Sequence, residues 1–170
     1  MNYPPDVWFD IETLINVAQP ESILLLGDAS QGFLENYLAQ KALINQSCVI
    51  RHIGVADVAQ VMALQQRFDV TIALNLLEHL DRATGAQVLA QVRDVVGPQF
   101  CVCLPINGDH DASWQITDMF AFALRKVALY KHDDIEFGLF KYNIDEYKKT
   151  PDWLNSDNWA NPEMWGKYWW

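Results

Sequence analysis

Four apolar residues in a row, Ile23 to Leu26, run directly into Gly27, and an amphipathic stretch begins six residues later at Phe33. An unbroken apolar run of strand length has no polar face, so it fits a parallel strand buried on both sides. A glycine at its end and a helix-period pattern after it make a strand–turn–helix unit, the arrangement many proteins use to hold a nucleotide. The same alternation continues along the chain. A helix is expected over 7–18, where Val7, Ile11, Leu14, Ile15 and Ala18 recur at helical spacing and Pro20 ends it. Residues 48–53, 68–77 and 100–106 read as further strands, with helices over 33–44, 55–66 and 82–96 between them, the last stopped by Gly97-Pro98. A long helix is expected over 113–131 with Ser113 as its N-cap, then His132, Asp133 and Asp134 as a solvated turn, then a late, antiparallel strand over 135–144. Strands alternating with helices imply crossover connections, hence an α/β protein with a mostly parallel sheet.

Such a sheet binds ligands outside the carboxyl ends of its strands. That places Gly27 to Gly32, Asn75 to Leu80 and Pro105 to Asp111 on one rim. At 170 residues and 51% hydrophobic content the chain fits one α/β domain, residues 1–150. A tail over 151–170, expected to pack on that domain, carries five of the seven tryptophans. Its alternatives are a lid or a segment that docks a protein partner or a second copy, since clustered Trp anchors interfaces. A net charge of −10 with no clustered Lys and Arg argues against direct nucleic-acid binding. No apolar run reaches the length that spans a bilayer, and no signal peptide is visible at the start. Three cysteines make no disulfide framework, so reduced thiols in the cytoplasm are expected, with Cys101 and Cys103 facing one side of a strand. "GDHD" at 108–111 lacks a partner ligand at metal spacing, so no metal site is assigned.

The segment 68–105 opens with Phe68-Asp69, turns at Leu77-Glu78-His79-Leu80, continues as a helix from Arg82 and turns again at Gly97-Pro98. This order and spacing is similar to class I S-adenosylmethionine-dependent methyltransferases, and the likeness covers residues 20 to about 145. It implies a three-layer Rossmann-like methyltransferase fold with S-adenosylmethionine as cofactor and a small molecule or protein as acceptor. It places Gly27, Asp28, Ala29, Ser30 and Gly32 in the cofactor loop, with Asn75 and Leu76 beside it. His79 is the candidate general base and Asn75 the residue that holds an amino acceptor; the other reading of Glu78-His79 is a cap on the following helix.

Three departures from that pattern stand out. Leu25 occupies the usual acidic position, and Ala29 and Gln31 occupy the next two glycine positions, or Gly32 is the third glycine moved by one residue. Arg51, His52 and Gly54 stand where the second strand should end in a ribose-binding acid, leaving Asp57 as the nearest carboxylate. Residues 53–67 have room for one short helix and not for a strand, so the sheet should be shortened there. Two functional classes follow: a methyltransferase with a degenerate cofactor pocket, or a catalytically inactive methyltransferase-like binding or regulatory subunit.

Overall fold

The computed structural model describes residues 3–108, 113–147, 161–164 and 167. A single six-stranded sheet runs through it in the order β2-β1-β3-β4-β6-β5. The strands are β1 (Ser22–Leu26), β2 (Val49–Ile53), β3 (Val70–Leu74), β4 (Gln99–Pro105), β5 (Arg125–His132) and β6 (Ile135–Asn143). The first four are parallel, β6 is antiparallel to β4, and β5 closes the edge antiparallel to β6.

The apolar run of β1 is buried on both faces because helices cover both. Ile23 and Leu25 join a cluster with Val7, Ile11 and Ile15 of α1 (Pro5–Ala18) and Tyr37 of α2 (Glu35–Leu43). Leu24 and Leu26 join the opposite cluster. It includes Val61 of α3 (Ala59–Met62), Val88 and Leu89 of α4 (Arg82–Gln91) and Met119 of α5 (Ile116–Ala121). The two-residue period of a strand thus sorts one sequence run into two cores, which gives three layers. Cys101 and Cys103 share the α1 face, as their spacing requires.

Phe68-Asp69 has a structural reason. Asp69 Oδ2 accepts the amides of Glu21 and Ser22 at 2.8 Å each and the Ser22 hydroxyl at 3.0 Å, tying the start of β1 to the start of β3. Between β2 and β3 lie a 3₁₀ turn, Val55–Asp57, and the single turn of α3. No strand forms there, so β2 is the sheet edge, as the short interval required.

The expected helix over 113–131 is corrected. Helix α5 stops at Ala121; Ala123 takes a positive φ of 63°, and residues 125–132 form β5. The hairpin turn at Asp133-Asp134 has both residues at positive φ, 49° and 63°, the geometry that matches strand twist. Pairing with β6 along the whole strand outweighs the weak local helical pattern, a tertiary override of propensity. The expected cap at Ser113 is also displaced. The N-cap is Gln115, whose amide donates to Asp118 Oδ2 at 2.8 Å. The solvated turn and the antiparallel strand over 135–144 are found, the strand as β6. The tail over 151–170 and the "GDHD" loop lie almost wholly outside the described residues, so the tail's expected packing and its docking role are untouched by the structure.

Candidate active site

The strand order reverses between β1 and β3, because β1 leads to β2 on one side and β3 to β4 on the other. The carboxyl ends of these strands bring the candidate residues together. Gly27 sits at the crossing. Its φ is +95°, and a Cβ there would lie 2.0 Å from the Leu74 carbonyl oxygen and 2.9 Å from that of Asn75. Only a residue without a side chain fits this turn. The Gly27 amide donates to Ile53 O at 2.9 Å and the Asp28 amide to Asn75 O at 3.3 Å, so the turn is clamped between the ends of β2 and β3. Gly32 differs. An added Cβ would meet only Ser30 Oγ, at 3.5 Å. Ser30 caps the short 3₁₀ segment Gln31–Leu34 by accepting the Gly32 amide at 3.3 Å. Ala29 is half-buried, and the Gln31 side chain is exposed to solvent. Among the described residues, the amides of Ala29 and Ser30 have no hydrogen-bond acceptor.

Asn75 follows β3 with a positive φ of 51°, a conformation Asn tolerates better than most residues. Its side-chain amide reaches toward Asp28 O at 3.5 Å, and its Oδ1 lies 3.2 Å from His79 Nε2. An amide oxygen can only accept, so His79 Nε2 carries a proton and Nδ1 is the nitrogen left to accept one. Leu76 is buried in the core against the Gly27 turn, with its Cβ 2.9 Å from where a Gly27 Cβ would stand. The capping reading of Glu78-His79 is displaced, because Asp81 caps α4 itself by accepting the Thr84 amide at 3.0 Å.

Glu78 instead meets a residue that sequence reasoning missed. The Tyr3 hydroxyl donates to Glu78 Oε1 at 2.9 Å or to Cys103 O at 3.0 Å, and accepts the Asn75 amide at 2.6 Å. Burial, reinforced by the neighbouring Glu78 charge, pushes the Tyr3 phenol well above its ordinary range and holds it neutral. Glu78 Oε2 is buried without a partner among the described residues. The signal available in sequence was only the aromatic residue before Pro4-Pro5; that its hydroxyl would land beneath β3 depends on how α1 crosses the sheet. His52 was noted only as a non-acid, yet its Nε2 donates to Gly27 O at 2.7 Å and pins the turn from the β2 side.

At the end of β2, Asp57 Oδ1 accepts the Gln60 side-chain amide at 3.0 Å, along the 3₁₀–α3 segment. The carboxylate beside Gly54 belongs to Asp28. Its Oδ1 accepts the Val55 amide at 3.0 Å and would lie 2.9 Å from a Cβ at Gly54.

A family model matches residues 7–170, nearly the whole chain. The chain belongs to DUF6231, a family of unknown function. No curated protein matches it in sequence. Solved structures do resemble this DUF6231 member. One is magnesium protoporphyrin IX methyltransferase from Synechocystis PCC 6803 with bound SAH, at 9% identity and a TM-score of 0.55, covering 80% of this chain and 81% of that one. Another is the 1,6-didemethyltoxoflavin-N1-methyltransferase of Burkholderia thailandensis, with bound 1,6-didemethyltoxoflavin and S-adenosylhomocysteine. It is 14% identical, with a TM-score of 0.50, and the match covers 81% and 80% of the two chains. The DUF6231 chain therefore has the Rossmann-like methyltransferase fold. Among its described residues, no helix is long and apolar enough to cross a membrane.

Proposed function

We propose that this DUF6231 protein is an S-adenosylmethionine-dependent methyltransferase acting on a small molecule or a protein side chain. The observation that carries the reading is the positive-φ turn at Gly27 beside the His79–Asn75 pair, both at the point where strand order reverses. The donor set fits the cofactor. The unpartnered amides of Ala29 and Ser30 suit its carboxylate, and the Asp28 carboxylate reaches the end of β2, the side that would meet its ribose. A net charge of −10 also favours a ligand carrying a sulfonium and an ammonium.

When bound, S-adenosylmethionine would supply an activated methyl group on a positively charged sulfur, a good leaving group. The protein's work is positioning and removal of one proton. The Gly27–Gly32 turn would hold the cofactor's amino-acid end. Asn75 holds His79 Nε2–H, which leaves Nδ1 as the nitrogen to take the proton of an acceptor hydroxyl or ammonium. The backbone at Asn75 and Leu76 lies beside the turn and closes that side.

Isothermal titration of the full chain with S-adenosylmethionine and S-adenosylhomocysteine tests the reading. Binding in the micromolar range is expected. No heat from either compound at millimolar concentration refutes it. Substitution at Gly27 is a poor control for this test, because the turn would be strained whether or not it binds anything.

A further inference from the structure

We infer that Asp28, carried by the β1 turn, is the carboxylate that recognises the ribose cis-diol of the cofactor. This rests on the methyltransferase reading and assigns one of its subsites. In doubly wound folds the ribose is gripped by an acid at the far end of the second strand. Here that strand ends in Ile53 and Gly54, and the nearby Arg51 cannot accept a hydrogen bond. The Asp28 side chain crosses to this position. A Cβ on Gly54 would stand only 2.9 Å from Asp28 Oδ1, so an acid side chain starting at residue 54 and the one starting at residue 28 converge on one spot. Acid and small residue have exchanged places between the β1 turn and the β2 end.

The carboxylate is aimed and still available. Oδ1 takes the Val55 amide, which fixes its direction. Oδ2 has no partner among the described residues, and Asp28 is exposed at the rim. A carboxylate offers about four lone-pair sites, so one amide bond leaves room for two hydroxyls. Neither neighbouring base neutralises it, since His52 Nε2 is turned to Gly27 O and Arg51 forms no ion pair among the described residues. Asp57, the nearest acid in sequence, lies along the 3₁₀–α3 segment, where its Oδ1 accepts the Gln60 side chain.

The test is titration of the full chain with S-adenosylhomocysteine and its 2′-deoxy analogue. A lost hydrogen bond to a charged group corresponds to about a ten- to hundredfold change. Wild type should prefer the ribose form by that factor. Asp28→Asn keeps an acceptor for Val55 and should lose most of the preference, while Asp57→Asn should retain it. The double variant Asp28→Ala/Gly54→Asp should regain it, because the acid then projects from the β2 side into the same spot. Gly54 has φ −71° and ψ 171°, so Asp is not strained there. Unchanged preference in Asp28→Asn, or loss in Asp57→Asn, overturns the assignment and leaves the methyltransferase reading standing. Wild type that binds neither compound overturns both.

Discussion

Replacing Gly27 by alanine should destabilise the protein far more than the same change at Gly32, although both glycines belong to one loop. At Gly27 the new Cβ meets the Leu74 carbonyl oxygen at 2.0 Å, and Leu74 is the last residue of β3, paired to Cys103 of β4. That oxygen is backbone and cannot rotate away. A left-handed φ for a non-glycine residue costs about 1–2 kcal/mol. Relieving the overlap requires the Gly27–Asp28 turn to shift out of its place between the ends of β2 and β3. That breaks the Gly27–Ile53 and Asp28–Asn75 backbone bonds, each worth about 1 kcal/mol net. The sum is about 3–4 kcal/mol, a large share of the roughly 5–15 kcal/mol that keeps a domain folded. At Gly32 the nearest atom to a new Cβ is 3.5 Å away and φ is unstrained, so alanine should be neutral or stabilising by about 0.5 kcal/mol. Urea unfolding followed by circular dichroism reads both. With a slope of about 2 kcal/mol/M, Gly27→Ala should lower the midpoint by about 1.5–2 M and Gly32→Ala should leave it within a few tenths. Equal effects at the two positions would refute the claim that close backbone crossing, rather than cofactor contact, fixes the first glycine.

Two further outcomes follow from buried groups. Tyr3→Phe removes the hydroxyl shared by the Asn75 amide and Glu78, so it should destabilise by about 2–3 kcal/mol in urea unfolding, and a loss under 0.5 kcal/mol would show the network to be idle. Burial pushes the Cys101 thiol up to about 12 and raises Cys103 as well, with Cys101 and Glu78 adding to the second shift. The stability each neutral thiol contributes is complete below pH 9, its unfolded value, and is lost as pH rises toward the folded value. The unfolding free energy should therefore fall from pH 9 upward by at most about 1.4 kcal/mol per pH unit per thiol, and the urea midpoint with it, less steeply in Cys101→Ala. An unchanged midpoint from pH 9 to 11 contradicts this.

The layers were legible because their cause is local. Ile23–Leu26 has no polar face, so it had to be covered on both sides, and the helix-period runs of α1, α2 and α4 supplied the covers. The missing strand between β2 and β3 was legible from chain length alone. The 113–131 segment was misread because Val127, Leu129 and Tyr130 fit either period over so short a run, and β6 decided between them. At the candidate site, the rim positions of Gly27, Asn75 and His79 follow from the turns that carry them. Those of Tyr3 and His52 do not, since each acts on a residue some 25 to 72 positions away.

By itself the sequence determined that this chain makes strands buried on both faces, where its glycine turn lies, and which polar residues reach the rim, because these depend on residue type and spacing within one element. Only the tertiary structure decided that the Asp28 carboxylate crosses to Gly54, that His79 Nε2 meets Asn75, and that the Tyr3 hydroxyl takes the Asn75 amide at the end of β3. Those facts depend on how strand ends cross, and a crossing is set by packing of the whole sheet, which no local stretch of residues encodes.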